Sequence, residues 1–205
     1  MRVVLGVSGA SGAALALDCA RALVQAGVEI DLVLSAMAAR TLAEEVGPDA
    51  EAALAALAAR RHPLGDLGAS IASGSCPVAG MIVAPCSMRS LASIAHGFDD
   101  NLLTRAAGVQ LKERRPLVLL AREAPLTLAH LKNMQAVTEM GATVLPPVPA
   151  FYLHHTTLAQ ATAQIAARAV DLLHLAAPQA QAWMPETAPT PDQPENPDDR
   201  PPACA

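Results

Sequence analysis

A group of cations stands in the second half of the chain: Arg105, Lys112, Arg114, Arg115 and Arg122. Arg105 and Lys112 are seven residues apart, so on a helix two turns bring them to one face. Arg122 follows the next apolar run and can converge on the same space. Guanidinium and ammonium groups gathered in this way suit a phosphate or pyrophosphate; a solvated basic face is the other reading. Glu123, beside Arg122, is a candidate for proton transfer or an ion-pair partner. Glu44 and Glu45, late in a predicted helix, read by themselves as solvent-facing acids. The histidines lack metal-ligand spacing, and His154 and His155 are neighbours that point opposite ways in extended chain, so no metal site is expected. Cys86 has no histidine nearby in sequence to activate it and reads as buried packing.

These side chains need a scaffold, and the first dozen residues announce one. Val3 to Val7 is an apolar run with β-branched positions at its start, as in a strand buried on both faces. Ser8 to Gly12 is a turn of small residues, and Ala13 to Gln25 is rich in helix formers. A strand, a glycine-serine turn and a helix let the backbone approach a phosphate, which the free N–H groups of the helix start can bind. Ser8 and Ser11 add hydroxyl donors. The spacing Gly6-x-x-Gly9-x-x-Gly12 is not the G-x-G-x-x-G dinucleotide form. The second predicted strand, 29–34, closes on the neutral Ser35 where an acid would hold a ribose. Both points favour a mononucleotide over NAD.

Further strands are predicted at 81–84, 117–121 and 142–145. Helices are predicted at 36–45, 49–61, 87–96, 102–114 (capped by Asp99 or Asp100), 126–140 and 157–175. A loop covers 65–74, with room for one helical turn, and Pro146, Pro147 and Pro149 stiffen the approach to Phe151 and Tyr152. Strands alternating with helices predict a single-domain α/β fold, Rossmann-like (flavodoxin-like), with a doubly wound parallel sheet and helices on both faces. Ligands in such sheets sit beyond the carboxyl ends of the strands. There Ser8, Ser11, Ser35, the Ser87-Met88-Arg89 turn and the Arg122-Glu123 pair would gather.

Composition sets the boundaries. The chain has 205 residues, 52% hydrophobic but only 2% aromatic, so the core is aliphatic. The domain is expected over 1–177. From Pro178 onward the chain holds eight of the 17 prolines and five acids against one base, which predicts a disordered acidic tail over 178–205. That tail supplies most of the net charge of −5, leaving a near-neutral body with no signature of nucleic acid or anionic membrane as partner. Four cysteines without a C-x-x-C pair, no cleavable leader and no apolar run of membrane length predict a cytoplasmic protein with reduced thiols.

Several stretches together resemble the flavin prenyltransferase family of the UbiX type. They are Gly9-Ala-Ser-Gly12, Ser73-Gly-Ser75, Pro85-Cys-Ser-Met88, Asp100-Asn-Leu-Leu-Thr-Arg105, Leu111-Lys-Glu-Arg-Arg-Pro116, Arg122-Glu-Ala-Pro125, His130-Leu-x-Asn-Met134 and Pro146-Pro-x-Pro-Ala-Phe-Tyr152. They run in family order through residue 175 or so, and the tail is not covered. The resemblance implies that Gly9, Ala10, Ser11, Ser35, Ser87, Met88, Arg89, Ser90 and Arg122 hold flavin mononucleotide. It implies that Lys112, Tyr152 and Arg168 bind the phosphate of dimethylallyl phosphate. Glu45 and Glu123 would handle protons, and Arg105 would be a further active-site arginine. The implied reaction joins dimethylallyl C1 to N5 of reduced FMN with loss of phosphate. Ring closure at C6 follows, without a metal, giving the prenylated FMN used by UbiD-type decarboxylases. A large homo-oligomer, usually a dodecamer, is implied too, with the site shared between subunits. Many members carry a basic residue after the serine closing the second strand, where this chain has Ala36 and Met37.

Two other readings remain open at this point. One is an FMN-dependent decarboxylase of a cysteinyl or pantothenoyl substrate, whose Pro-Ala-Ser-Ala-Asn-Thr turn is absent here. The other is a flavin-carrying, non-catalytic subunit of a decarboxylase.

Overall fold

The computed structural model describes residues 1–183, so most of the expected tail lies outside the described residues. One parallel sheet holds six strands: β1 (Arg2–Val7), β2 (Glu29–Leu34), β3 (Arg60–His62), β4 (Met81–Cys86), β5 (Leu117–Ala121) and β6 (Thr143–Val144). Their order is β3-β2-β1-β4-β5-β6. The order reverses between β1 and β4, and the crevice beyond their carboxyl ends is where such sheets take ligands. The helices are α1 (Ala14–Gln25), α2 (Ala36–Glu45), α3 (Ala50–Leu57), α4 (Met88–Ala95), α5 (Leu102–Lys112), α6 (Leu128–Glu139) and α7 (Leu158–Asp171).

The alternation of side chains along each strand divides the interior into two cores. Val3, Leu5 and Val7 of β1 face α1, α7 and Leu54 of α3, while Val4 faces Leu91, Leu102 and Leu103 of α4 and α5. Both faces of the central strands are thus covered, which is why the strands read as unbroken apolar runs.

Four expectations need correction. The helix predicted over 49–61 ends at Leu57, and the chain then adds β3 to the sheet edge, with the Ala59 amide donating to the Ile30 carbonyl at 3.0 Å. The draw is Asp31. Buried inside β2, its carboxylate accepts from Arg2 at 2.8 and 2.9 Å and lies 2.8 Å from His62 Nε2. A carboxylate in a core needs such partners, so the chain brings His62 to it. Asn101 caps α5 in place of Asp99 or Asp100, its Oδ1 accepting from the Thr104 amide at 3.1 Å. Those acids pair instead with Arg105 (3.0 Å) and Arg89 (2.8 Å). β6 shrinks to two residues.

Finally, α7 stops at Asp171, and the chain turns back through His174 in the left-handed region (φ 55°). Residues 178–183, the start of the expected tail, then run along α7. The amides of Gln179 and Ala180 donate to the Asp171 carboxylate at 2.7 and 3.0 Å. Gln181 and Gln164 exchange two bonds, at 3.0 and 3.1 Å. Among the described residues no helix is long and apolar enough to cross a membrane.

Candidate functional site

The carboxyl edge of the sheet collects the ends of β1, β2, β4 and β5. At the end of β1 the Ser8 hydroxyl donates to the Pro85 carbonyl at 2.8 Å and accepts from the Ser87 amide at 2.7 Å. It is buried and spent on tying β1 to β4, so the expectation that it faces a ligand is corrected. Gly9 next in line is obligatory: a Cβ there would lie 2.3 Å from the Met37 Cβ. Ala10 is half-buried and Ser11 exposed.

The start of α1 is not a vacant anion site either. Glu45, reaching across from the end of α2, accepts from the Gly12 and Ala13 amides at 2.8 Å each. Burial works against its charge. The two amides, the Ser11 hydroxyl and the positive charge of Arg122 outweigh it and hold its carboxyl below the usual carboxylate range. Read alone, Glu45 was a solvent-facing acid; the fold makes it the charge that completes the first turn. Arg122, fixed through its amide to the Cys86 carbonyl at 3.1 Å, joins Ser11, Gly12 and Glu45 around a cavity of about 510 Å³. Pro147, Pro149, Leu158 and Ile165 form its apolar side.

A second cavity, of about 400 Å³, lies at the same edge between Ser35, Met37, Arg89, Ser90 and Asn101. Three helix starts converge on it. Ser35 caps α2 (3.2 Å to the Ala38 amide), Ser87 caps α4 (3.3 Å to the Ser90 amide) and Asn101 caps α5. Converging positive helix ends favour an anion, and Arg89 stands beside them, paired with Asp100 of the same cavity. Met88 is partly buried against the core and shapes the α4 turn.

Tyr152 and Arg168 meet in a third cavity, of about 470 Å³, walled by the proline loop, α7 and residues 178–183. Ile165 lines both this cavity and the one holding Arg122, so the two adjoin. Trp183 packs edge-on against Tyr152, with ring centroids 5.0 Å apart and planes at 81°.

Arg105 and Lys112 do share a helix face and a cavity, with Asp99 and Glu139, but Arg122 does not converge on them. The reason is the course of α5. Its start bonds to the Leu64 carbonyl, just past β3, and its end leads through Pro116 into the beginning of β5. Eleven helical residues span about 16 Å, so Lys112 stands at the opposite edge of the sheet. There it pairs with Glu113 and packs against Gly74, where any Cβ would collide with the pair. Within one chain, therefore, Lys112 and the Tyr152–Arg168 pair are apart. Glu123 sits at the correct edge, exposed, accepting from the Ala124 amide at 3.1 Å.

Cys86 is fully buried, and burial pushes its thiol up to about 12, which leaves it inert at neutral pH. Among the described residues no three His, Cys, Asp or Glu side chains gather as a metal site. Sequence reasoning missed Asp171 and Trp183; the one available signal was that Trp183 is the sole tryptophan of the chain.

The flavoprotein family model matches residues 1–173. The flavin prenyltransferase UbiX of Neisseria meningitidis serogroup B is 50% identical over 89% of this chain and 96% of its own length. The crystal structure of AnUbiX in complex with FMN and dimethylallyl pyrophosphate superimposes with a TM-score of 0.85 at 42% identity, covering 90% of this chain and 97% of that one. A dodecameric FMN-dependent UbiX-like decarboxylase from Escherichia coli O157:H7 gives 0.85 at 43% identity, covering 90% and 100%. Matched over residues 1–173 by the family model and 50% identical over most of its length to a UbiX flavin prenyltransferase, this chain belongs to the flavoprotein family and, within it, to the flavin prenyltransferases of the UbiX type.

Proposed function

We propose that the protein transfers the dimethylallyl group of dimethylallyl phosphate to reduced FMN, making prenylated FMN for a UbiD-type decarboxylase. The observation that carries this reading is a set of two sites along the carboxyl edge of the sheet. One has three helix starts and Arg89; the other has Arg122 and Glu45 opening towards Tyr152 and Arg168. The residues fit FMN. The helix starts at Ser35, Ser87 and Asn101 suit its phosphate, and the exposed Ser11 stands beside the cavity that holds Arg122. Gly9, Ala10, Ser11, Ser35, Ser87 to Ser90 and Arg122 would hold it. Reduced FMN, when bound, would supply N5, which takes the dimethylallyl C1 as the C–O bond breaks and phosphate leaves with the electron pair, and then C6, which takes the other end once the double bond has accepted a proton, the N5 and C6 hydrogens leaving as protons.

The chain's own groups do the rest. Arg168 and the Tyr152 hydroxyl hold the ester's phosphate and take up its charge as the C–O bond breaks. Lys112 completes that set from a second copy of the chain, because α5 carries it to the far edge of its own sheet. Arg105, on the same face as Lys112, would come with it. Three such donors can stand where magnesium stands in other prenyl transfers, so the reaction is proposed to need no metal. Glu45 enters ionised and is placed to accept a proton at its carboxylate; Glu123, at the end of β5, is the second proton carrier. The Pro147, Pro149 and Ile165 wall keeps water from the allyl fragment. The dodecamer seen in the Escherichia coli relative is the assembly we propose, and the cytoplasm is the proposed location.

The test is incubation with reduced FMN and dimethylallyl monophosphate, or diphosphate, followed by mass spectrometry of the released flavin. A species heavier than FMN by one five-carbon unit is expected. Unmodified FMN with both esters would overturn the proposal.

A further inference from the structure

The third cavity owes one of its walls to the segment past α7. Its other walls are the proline loop (Pro146, Val148, Ala150) and α7 (Gln164, Ile165, Arg168). Residues 178–183 close it by running back antiparallel to α7, held at two places. At Asp171 the carboxylate takes the amides of Gln179 and Ala180. Two turns earlier, Gln164 exchanges a pair of bonds with the backbone of Gln181. The Gln179 side chain adds a bond to the Ala22 carbonyl at 3.1 Å, tying the segment to α1. The run ends with Trp183 against Tyr152. Trp183 remains 62% exposed, so a single ring contact and polar latches hold it, with no buried apolar core beneath. A segment held this way opens at modest cost.

We propose that residues 178–183 are a strap over the allyl-phosphate cavity, latched by Asp171 and Gln164, and that Trp183 is a positioning residue that sets the Tyr152 ring. The inference rests on the substrate reading above and adds the elements that enclose it. Tyr152 is itself 45% exposed, on a short 3₁₀ turn, and among the described residues Trp183 is the one aromatic ring packed on it. With Trp183 in place the phenol is held over the cavity that contains Arg168. With the strap lifted the cavity becomes an open groove through which ester enters and phosphate leaves. A water-poor compartment for a charge-separating step requires such a cover.

Trp183 is the only tryptophan, so its emission reports the strap alone. The experiment is acrylamide quenching of that emission in the full-length, flavin-loaded assembly, with and without inorganic phosphate. In parallel, KM and kcat are measured with dimethylallyl monophosphate. Phosphate is expected to shield Trp183 from quencher. Asp171→Asn, which weakens two charge-assisted bonds, should expose it without phosphate and raise KM about tenfold, with kcat changed far less. Trp183→Ala should do the same to KM, and Trp183→Phe should restore it, which a merely structural role would not distinguish. If FMN is prenylated normally but Trp183 quenching is indifferent to phosphate and to Asp171→Asn, the strap is refuted and the transfer reading stands. If no ester is turned over yet phosphate shields Trp183, the strap stands as the cover of an anion site and the transfer reading is what fails.

Discussion

Removing the Glu45 carboxylate separates the local physics of the first turn from the chemistry proposed for it. Glu45 accepts from two backbone amides at 2.8 Å, at the positive end of the twelve-residue helix α1. Hydrogen bonds to a charged acceptor are worth about 1.5–3 kcal/mol and the helix-end charge about 0.3–1 kcal/mol. Glu45 is solvent-exposed, so water replaces much of what is lost, and about 1 kcal/mol is the net cost expected for Glu45→Ala. For a chain of this size that lowers the melting temperature by about 3 °C. Glu45→Gln keeps one acceptor oxygen and should lose about half as much. The pH dependence has a definite sign. The folded-state pKa of Glu45 is depressed, so its contribution is complete above the ordinary carboxylate range and disappears as pH falls through the lower folded value. The assay is differential scanning calorimetry at fixed protomer concentration, at neutral pH and then stepwise into acid. The gap between wild type and Glu45→Gln should close as the carboxylate protonates. Equal melting of wild type and Glu45→Ala at neutral pH would refute the capping argument.

Three further outcomes follow from the geometry. Gly9→Ala places a methyl group 2.3 Å from the Met37 Cβ, so the turn must shift; flavin content of the purified protein should fall severalfold, and wild-type content would contradict the role of this turn. Asp31→Asn leaves Arg2 and His62 without their buried counter-charge and should cost about 3 kcal/mol in urea melts, the low end for a broken buried pair because Arg2 is partly solvated; a loss below a third of that would show the network to be incidental. Mixing Lys112→Ala with Arg168→Ala subunits, each inactive alone, should restore about a quarter of wild-type activity if one site draws on two chains at random. No recovery after verified subunit exchange would show that both groups act from one chain.

Much of the scaffold was legible because its signals are local. Val3–Val7, Glu29–Leu34 and Leu117–Ala121 are apolar runs bounded by glycine, serine or proline, and both their faces are covered, as such runs imply. Helix starts at Ser35 and Ser87 were visible as small polar residues after a strand. The edge strand β3 was not legible. Arg60-Arg61-His62 has no strand-like pattern, and its pairing with β2 brings His62 to the buried Asp31, about thirty residues earlier, which needs a partner.

The candidate site divides the same way. Which residues are candidates for phosphate binding and proton transfer could be read from type, spacing and family likeness, since a guanidinium or a carboxylate keeps its chemistry wherever it sits. What each one faces was decided by the tertiary structure. Ser8 turned inward to join two strands, Glu45 crossed from α2 to cap α1, and Lys112 was carried to the far edge by α5. Asp171 and Trp183 gained meaning only when the chain folded back along α7. Sequence specifies the groups and the periodicity of the elements beneath them. Contacts between residues far apart in the chain depend on the directions in which helices and strands pack, and those exist only in the folded molecule.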